Sequence, residues 1–141
     1  MALSWQDDDY EQILRESKTI AVVGLSNDHF RPSYGVARYL QQEGYRIIPV
    51  NPHEREVLGQ SAYPDLASLP ERIDVVDVFR NARYAAEIVR QAEQIGAKAV
   101  WLQPGAGTLA AAEEARAAGL KVVLNRCMAT ELERLHGLAA E

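Results

Sequence analysis

Gly24, Ser26, Arg31 and Ser33 fall within ten residues of one another, and residues of these types at this spacing suit the holding of phosphate. A glycine lets backbone approach an anion, hydroxyls donate hydrogen bonds, and a guanidinium supplies charge in a planar fork. Further along, Asn51-Pro52, Phe79-Arg80-Asn81, Gln103-Pro104-Gly105 and Asn125-Arg126-Cys127 repeat a theme of amides and arginines, each after a short apolar run. Arg31, Arg80 and Arg126 would together bring three guanidiniums to one edge of an acidic protein. The bland alternative is that they pair with Asp28, Glu54 and Glu131.

These residues stand where strands end. Ile20-Ala21-Val22-Val23 is short and β-branched, as a buried parallel strand requires. It breaks at Gly24-Leu25-Ser26, and a helix begins near Ser33 with Tyr34, Val36, Ala37 and Leu40 three or four apart. Strand, glycine-bearing loop and helix N-terminus aim free N–H groups and the positive end of a dipole at one spot. The three-glycine dinucleotide fingerprint is missing, because Ser26 and His29 stand where its later glycines would be.

The same pattern recurs along the chain. A helix over 7–17, capped by one of Asp7 to Asp9, precedes the first strand. Strands follow over 45–50, 73–79, 99–102 and 120–124. Helices are expected over 82–95, from Thr108 to Ala118, and from a Thr130/Glu133 capping box to about Leu138. Pro49 cannot donate to a ladder, which places the second strand near an edge or at a bulge. Residues 53–72 are irregular, with a turn at Gly59-Gln60 and one short helical turn after Asp65.

Strands alternating with helices predict an α/β fold, a single doubly wound domain over 1–141 with a five-stranded parallel sheet. The simplest strand order is 3-2-1-4-5, with helices on both faces. Ligands in such sheets bind beyond the carboxyl ends of the strands.

A chain of 141 residues is of ordinary size for one domain, and its net charge of −5 argues against nucleic acid or an anionic membrane as partner. No apolar run approaches the roughly 18 residues that span a bilayer. The N-terminus lacks the order of a signal peptide, and a single cysteine, Cys127, suits a reducing compartment, so a cytoplasmic protein is expected. His29, His53 and His136 are not spaced as metal ligands, and no metal is expected.

Asn51 ends the second strand, where a dinucleotide domain places an acid to hold ribose hydroxyls. A neutral amide tolerates a ribose that is already phosphorylated, which leans the ligand from NAD toward coenzyme A.

The motifs IAVVGLS (20–26), RPSYGVARYL (31–40), GYRIIPVNP (44–52), VLGQSAYPDLASLP (57–70), IGAKAVWLQPG (95–105) and AGLKVVLNRCMATELERL (118–135) occur in one order, with VDVF followed by Arg80 between them. In this the chain resembles the small stand-alone coenzyme A-binding proteins of bacteria and archaea, which are related to the nucleotide-binding domain of the succinyl-CoA synthetase α-subunit. The resemblance implies a Rossmann-like domain binding coenzyme A, or an acyl-CoA, at the carboxyl edge of the sheet. It implies that Gly24, Leu25, Ser26, Arg31, Ser33 and Tyr34 surround the phosphates and that Asn51 and Pro52 border the adenosine. Phe79 and Arg80 would face the adenine or 3′-phosphate, and Gln103 and Gly105 the pantetheine arm. Two departures fall near that arm: Asn125 replaces the Asp common before Arg-Cys, and residues 104–107 carry extra glycine.

The implied role is a non-catalytic binding, carrier or sensor module acting through a protein partner, with no catalytic residue assigned. The phosphohistidine domain of the synthetases is not matched. The alternative is an enzyme: a Cys127-dependent acyl transferase or an NAD(P)-linked oxidoreductase.

Overall fold

The computed structural model describes residues 5–140. In order these form α1 (Tyr10–Glu16), β1 (Thr19–Val23), α2 (Pro32–Gln42), β2 (Arg46–Val50), β3 (Glu56–Val57), β4 (Gln60–Ser61), β5 (Val75–Val78), α3 (Ala85–Gln94), β6 (Ala99–Leu102), α4 (Leu109–Ala117), β7 (Lys121–Leu124) and α5 (Met128–Ala140). Five strands make one parallel sheet, as the alternation of elements requires, and β3 pairs with β4 in a small separate hairpin.

Neighbours across the sheet run β2-β1-β5-β6-β7. Counting the five strands in chain order this is 2-1-3-4-5, the other common doubly wound arrangement, and it corrects the expected 3-2-1-4-5. Pro49 gives the reason. Arg46 and Val50 turn their backbone groups toward β1, so Pro49 faces the opposite side, where a further strand would miss a ladder bond. That side is closed by Tyr63, which donates to the Pro49 carbonyl at 3.0 Å and accepts from Asn51 N–H at 2.8 Å. The proline's edge position and a central place for β2 could not both hold.

Each strand buries alternate residues on opposite faces. Val76, Val78, Val100 and Leu102 pack under α3 and α4. Val75, Trp101 and Val123 pack with Leu40, Met128 and Leu132 of α2 and α5. The outer edge of β7 is covered by the N-terminal acids: Asp7 accepts from Leu124 N–H and Asp8 from Val122 N–H, both at 2.8 Å. An open edge is thereby blunted. Asp9 caps α1, Thr108 caps α4 and Asp65 caps a short 3₁₀ turn, as expected. The last helix starts at Met128, two residues before the Thr130 cap expected for it. Asn125 takes a left-handed φ of 65° that turns the chain directly into the helix. Among the described residues no helix is long and apolar enough to cross a membrane.

Candidate functional site

The ends of β1, β2 and β5 meet at Gly24. Its φ is +90°, its N–H donates to the Val50 carbonyl at 2.8 Å, and a Cβ there would lie 2.9 Å from the Phe79 carbonyl oxygen. No side chain fits. The loop that follows is internally bonded: Ser26 N–H donates to Ser33 Oγ, and Ser26 Oγ accepts from Asp28 N–H. It is also stapled to the loop after β2. Asn51 Nδ2 donates to the Leu25 carbonyl at 3.1 Å, and Glu54 accepts from both the backbone and side chain of Asn27. Pro32 then opens α2, whose N-terminus receives no side-chain cap.

Beyond these ends lies a cleft of about 440 Å³. One wall is the first turn of α2, with Arg31, Pro32, Ser33 and Val36; another is the end of β5, with Phe79, Arg80 and Asn81. The turn after β6, from Gln103 to Ala106, forms the third, and Cys127 completes the lining. Gly105 has φ +80° in that turn, and a Cβ at Gly107 would come within 2.8 Å of Leu102. Both extra glycines therefore serve the backbone path and the close packing beneath the cleft. Arg80 separates this cleft from a smaller hollow of about 250 Å³ bordered by Pro52, Pro64, Tyr84 and Gln91. Its guanidinium lies 4.4 Å from the centre of the Tyr84 ring.

Gly24, Arg31, Ser33, Phe79, Arg80, Gln103 and Gly105 thus line one cleft. Ser26 sits behind them in the loop, and Pro52 belongs to the smaller hollow. The Leu25 side chain is fully buried in the core, and only its backbone lies in the loop. Tyr34 stacks on His29 with ring centres 4.0 Å apart, on the outer side of the helix start. Asn51 spends its amide on loop backbone, accepting from His53 N–H at 2.9 Å as well as donating to Leu25.

The expected trio of guanidiniums reduces to two. Arg126 is drawn to Asp7 at 2.7 Å and to Glu131 at 3.5 Å, and the hydrogen bond to Asp7 raises its pKa. Arg31 is 3.7 Å from Asp28 and largely exposed, so that pairing is weak.

Asp77 was missed. It lies on β5 between Val22 and Trp101, fully buried, with Oδ1 accepting from Gln103 Nε2 at 2.7 Å and Oδ2 without a partner. Burial pushes its pKa up to about 7, opposed by the Gln103 hydrogen bond. An acid inside a valine run was the available signal.

A doubly wound sheet with a glycine turn, an uncapped helix N-terminus and a cationic cleft over its carboxyl ends defines a nucleotide-binding type of α/β domain. Residues 18–133 match the family described as CoA binding domain, and the chain belongs to that family. It is 36% identical over 118 residues to the uncharacterized protein YneT of Bacillus subtilis, covering 84% of this chain and 87% of that one. A hypothetical protein from Pyrococcus horikoshii OT3 of known structure is 43% identical, with a TM-score of 0.88 over 93% of this chain and 92% of the other. The ADP-forming acetate–CoA ligase II of Archaeoglobus fulgidus is 29% identical over 83 residues, 57% of this chain but only 12% of the ligase.

Proposed function

We propose that the chain, as a single domain, binds coenzyme A or an acyl-CoA in the cleft at the carboxyl edge of the sheet and carries out no reaction itself. The observation that carries this reading is the pairing of an uncapped α2 N-terminus with Arg80 across one cleft, in a chain of the CoA-binding family. The helix start and Arg31 suit a pyrophosphate, with Gly24, Ser26 and Ser33 shaping the loop around it. Arg80, facing both hollows, suits the 3′-phosphate, with Phe79, Asn51 and Pro52 toward the adenosine. Gln103 and Gly105 border the pantetheine arm. Binding without chemistry is consistent with a carrier or sensor that hands its ligand state to a protein partner in a cytoplasmic setting.

A second reading comes from Cys127, the one thiol in the sequence, which lines the same cleft. Among the described residues no histidine or carboxylate lines the cleft to serve as its base, which favours the binding reading.

Titration calorimetry against coenzyme A, dephospho-coenzyme A, NAD and ATP tests the proposal. Coenzyme A is expected to bind tightest, with dephospho-coenzyme A about tenfold weaker for the loss of one charge-assisted contact. Equal affinity for the two removes the 3′-phosphate role of Arg80. Binding of NAD alone overturns the reading.

A further inference from the structure

Asp77 and Gln103 form a polar pair where the sheet would otherwise be apolar. Asp77 stands opposite Trp101 in the register, and Gln103, two residues on, points to the same face one step nearer the carboxyl ends. Both side chains are almost fully buried, Asp77 at 0% and Gln103 at 3% exposure. Yet Gln103 also lines the cleft, so the pair connects the cleft floor to the middle of the sheet. Its backbone is pinned as well, the Gln103 carbonyl accepting from Ala106 N–H at 2.8 Å across the turn.

A buried carboxyl group with one oxygen unpartnered costs stability that an apolar residue of similar volume would not. If Gln103 needed only some partner, a second amide would do. Two facing amides, however, pair equally well in either orientation, because each offers a donor and an acceptor. A carboxylate has no such freedom. It accepts on both oxygens and turns the Gln103 NH₂ inward. The protonated acid regains a donor, so it is the carboxylate form, with acceptors alone, that fixes the orientation outright.

Resting on the coenzyme A reading above, we propose that Asp77 is a positioning residue. It holds the Gln103 amide so that the carbonyl oxygen is presented to the cleft, and the site thereby selects ligands carrying an amide N–H donor at that point. The pantetheine arm carries such amides, and the nucleotide portion of coenzyme A does not need them. Asp77 accordingly governs recognition of the arm and not of the nucleotide.

The test is calorimetry with two probes, coenzyme A and adenosine 3′,5′-bisphosphate, which lacks the arm. It uses the wild type, Asp77→Asn, Gln103→Met and the double variant. Asp77→Asn is isosteric and frees the amide to turn. Gln103→Met keeps the volume and tests the same contact from the other side. Each single change is expected to weaken coenzyme A by about five- to tenfold and to move the bisphosphate by less than twofold. The double variant should bind like Gln103→Met alone, because Asp77 acts only through Gln103. Equal losses for both probes, no loss for either, or additive losses in the double variant overturn the positioning role while leaving coenzyme A binding standing. A wild type that fails to bind coenzyme A takes both proposals down.

Discussion

Two carboxylates three residues apart mark opposite ends of the central strand, and they live in opposite environments. Asp74, just before β5 at the amino end, accepts from Lys18 N–H at 2.8 Å and Thr19 N–H at 3.0 Å and pairs with Lys98 at 3.4 Å. Burial pushes its pKa up, but the Thr19 and Lys18 hydrogen bonds and Lys98 together bring it below the usual value. Asp77, nearer the carboxyl end, has one amide partner, no charged one, and a pKa raised to about 7. The amino end is finished, with its donors and acceptors matched. The carboxyl end leaves polar capacity unspent, and that is where the cleft opens. Unmatched polarity in an otherwise well-paired fold calls for an explanation, and the proposed coenzyme A site supplies one.

The contrast has opposite signs in pH, and the largest effect belongs to Asp77. Its folded pKa near 7 exceeds an unfolded value near 4, so the folded state holds the extra proton between them. Stability should fall as pH rises from about 4 to about 7 and stay level above. Relative to Asp77→Asn the loss amounts to at most about 4 kcal/mol, three pH units at about 1.4 kcal/mol each. Urea unfolding of both proteins between pH 4 and pH 8 measures it. A wild type that tracks the variant throughout would show that Asp77 is not strained by its burial.

Asp74 should behave the other way. Its lowered pKa makes it stabilising above the unfolded value, and that contribution disappears as pH falls through the folded one. Asp74→Ala strips two charge-assisted bonds from the start of β1 and is expected to cost about 2–3 kcal/mol at pH 7. Coenzyme A affinity of the folded variant should not change, because this end lies a full strand length from the cleft. A parallel loss of affinity would erase the distinction between the two ends.

The same split governs what the sequence disclosed. Strands and helices were legible because their apolar periods are local, and Pro49 announced its edge through a missing donor. The overall strand order was not, since it depends on which side of β1 receives β5, and Tyr63 at the free side of β2 comes from a loop without periodicity. The β3–β4 hairpin escaped because strands of two residues carry no pattern. Within the site, glycine and the loop serines were readable from types and spacing. The fate of Arg126 was not: its partner Asp7 is 119 residues away in sequence. Asp77 was visible as an acid among valines, but only the structure gives it Gln103 as a neighbour and leaves its second oxygen alone.

Cations sharpen the comparison further, with smaller effects. Lys98 at the amino end is paired with Asp74, while Arg80 at the carboxyl end lies against the Tyr84 ring with no carboxylate in ion-pair reach among the described residues. A guanidinium stacked on an aromatic face keeps its N–H edge free for phosphate oxygens. Arg80→Gln retains length and some hydrogen bonding but loses the charge, and should weaken coenzyme A about tenfold. Dephospho-coenzyme A, which lacks the group that Arg80 is assigned to hold, should bind the variant and the wild type alike. Cys127→Ala provides the matching control on the same cleft, with an expected change in coenzyme A affinity below twofold. If instead Arg80→Gln weakened both ligands equally, the guanidinium would be reading the pyrophosphate, and the 3′-phosphate would lie elsewhere along the edge of the sheet.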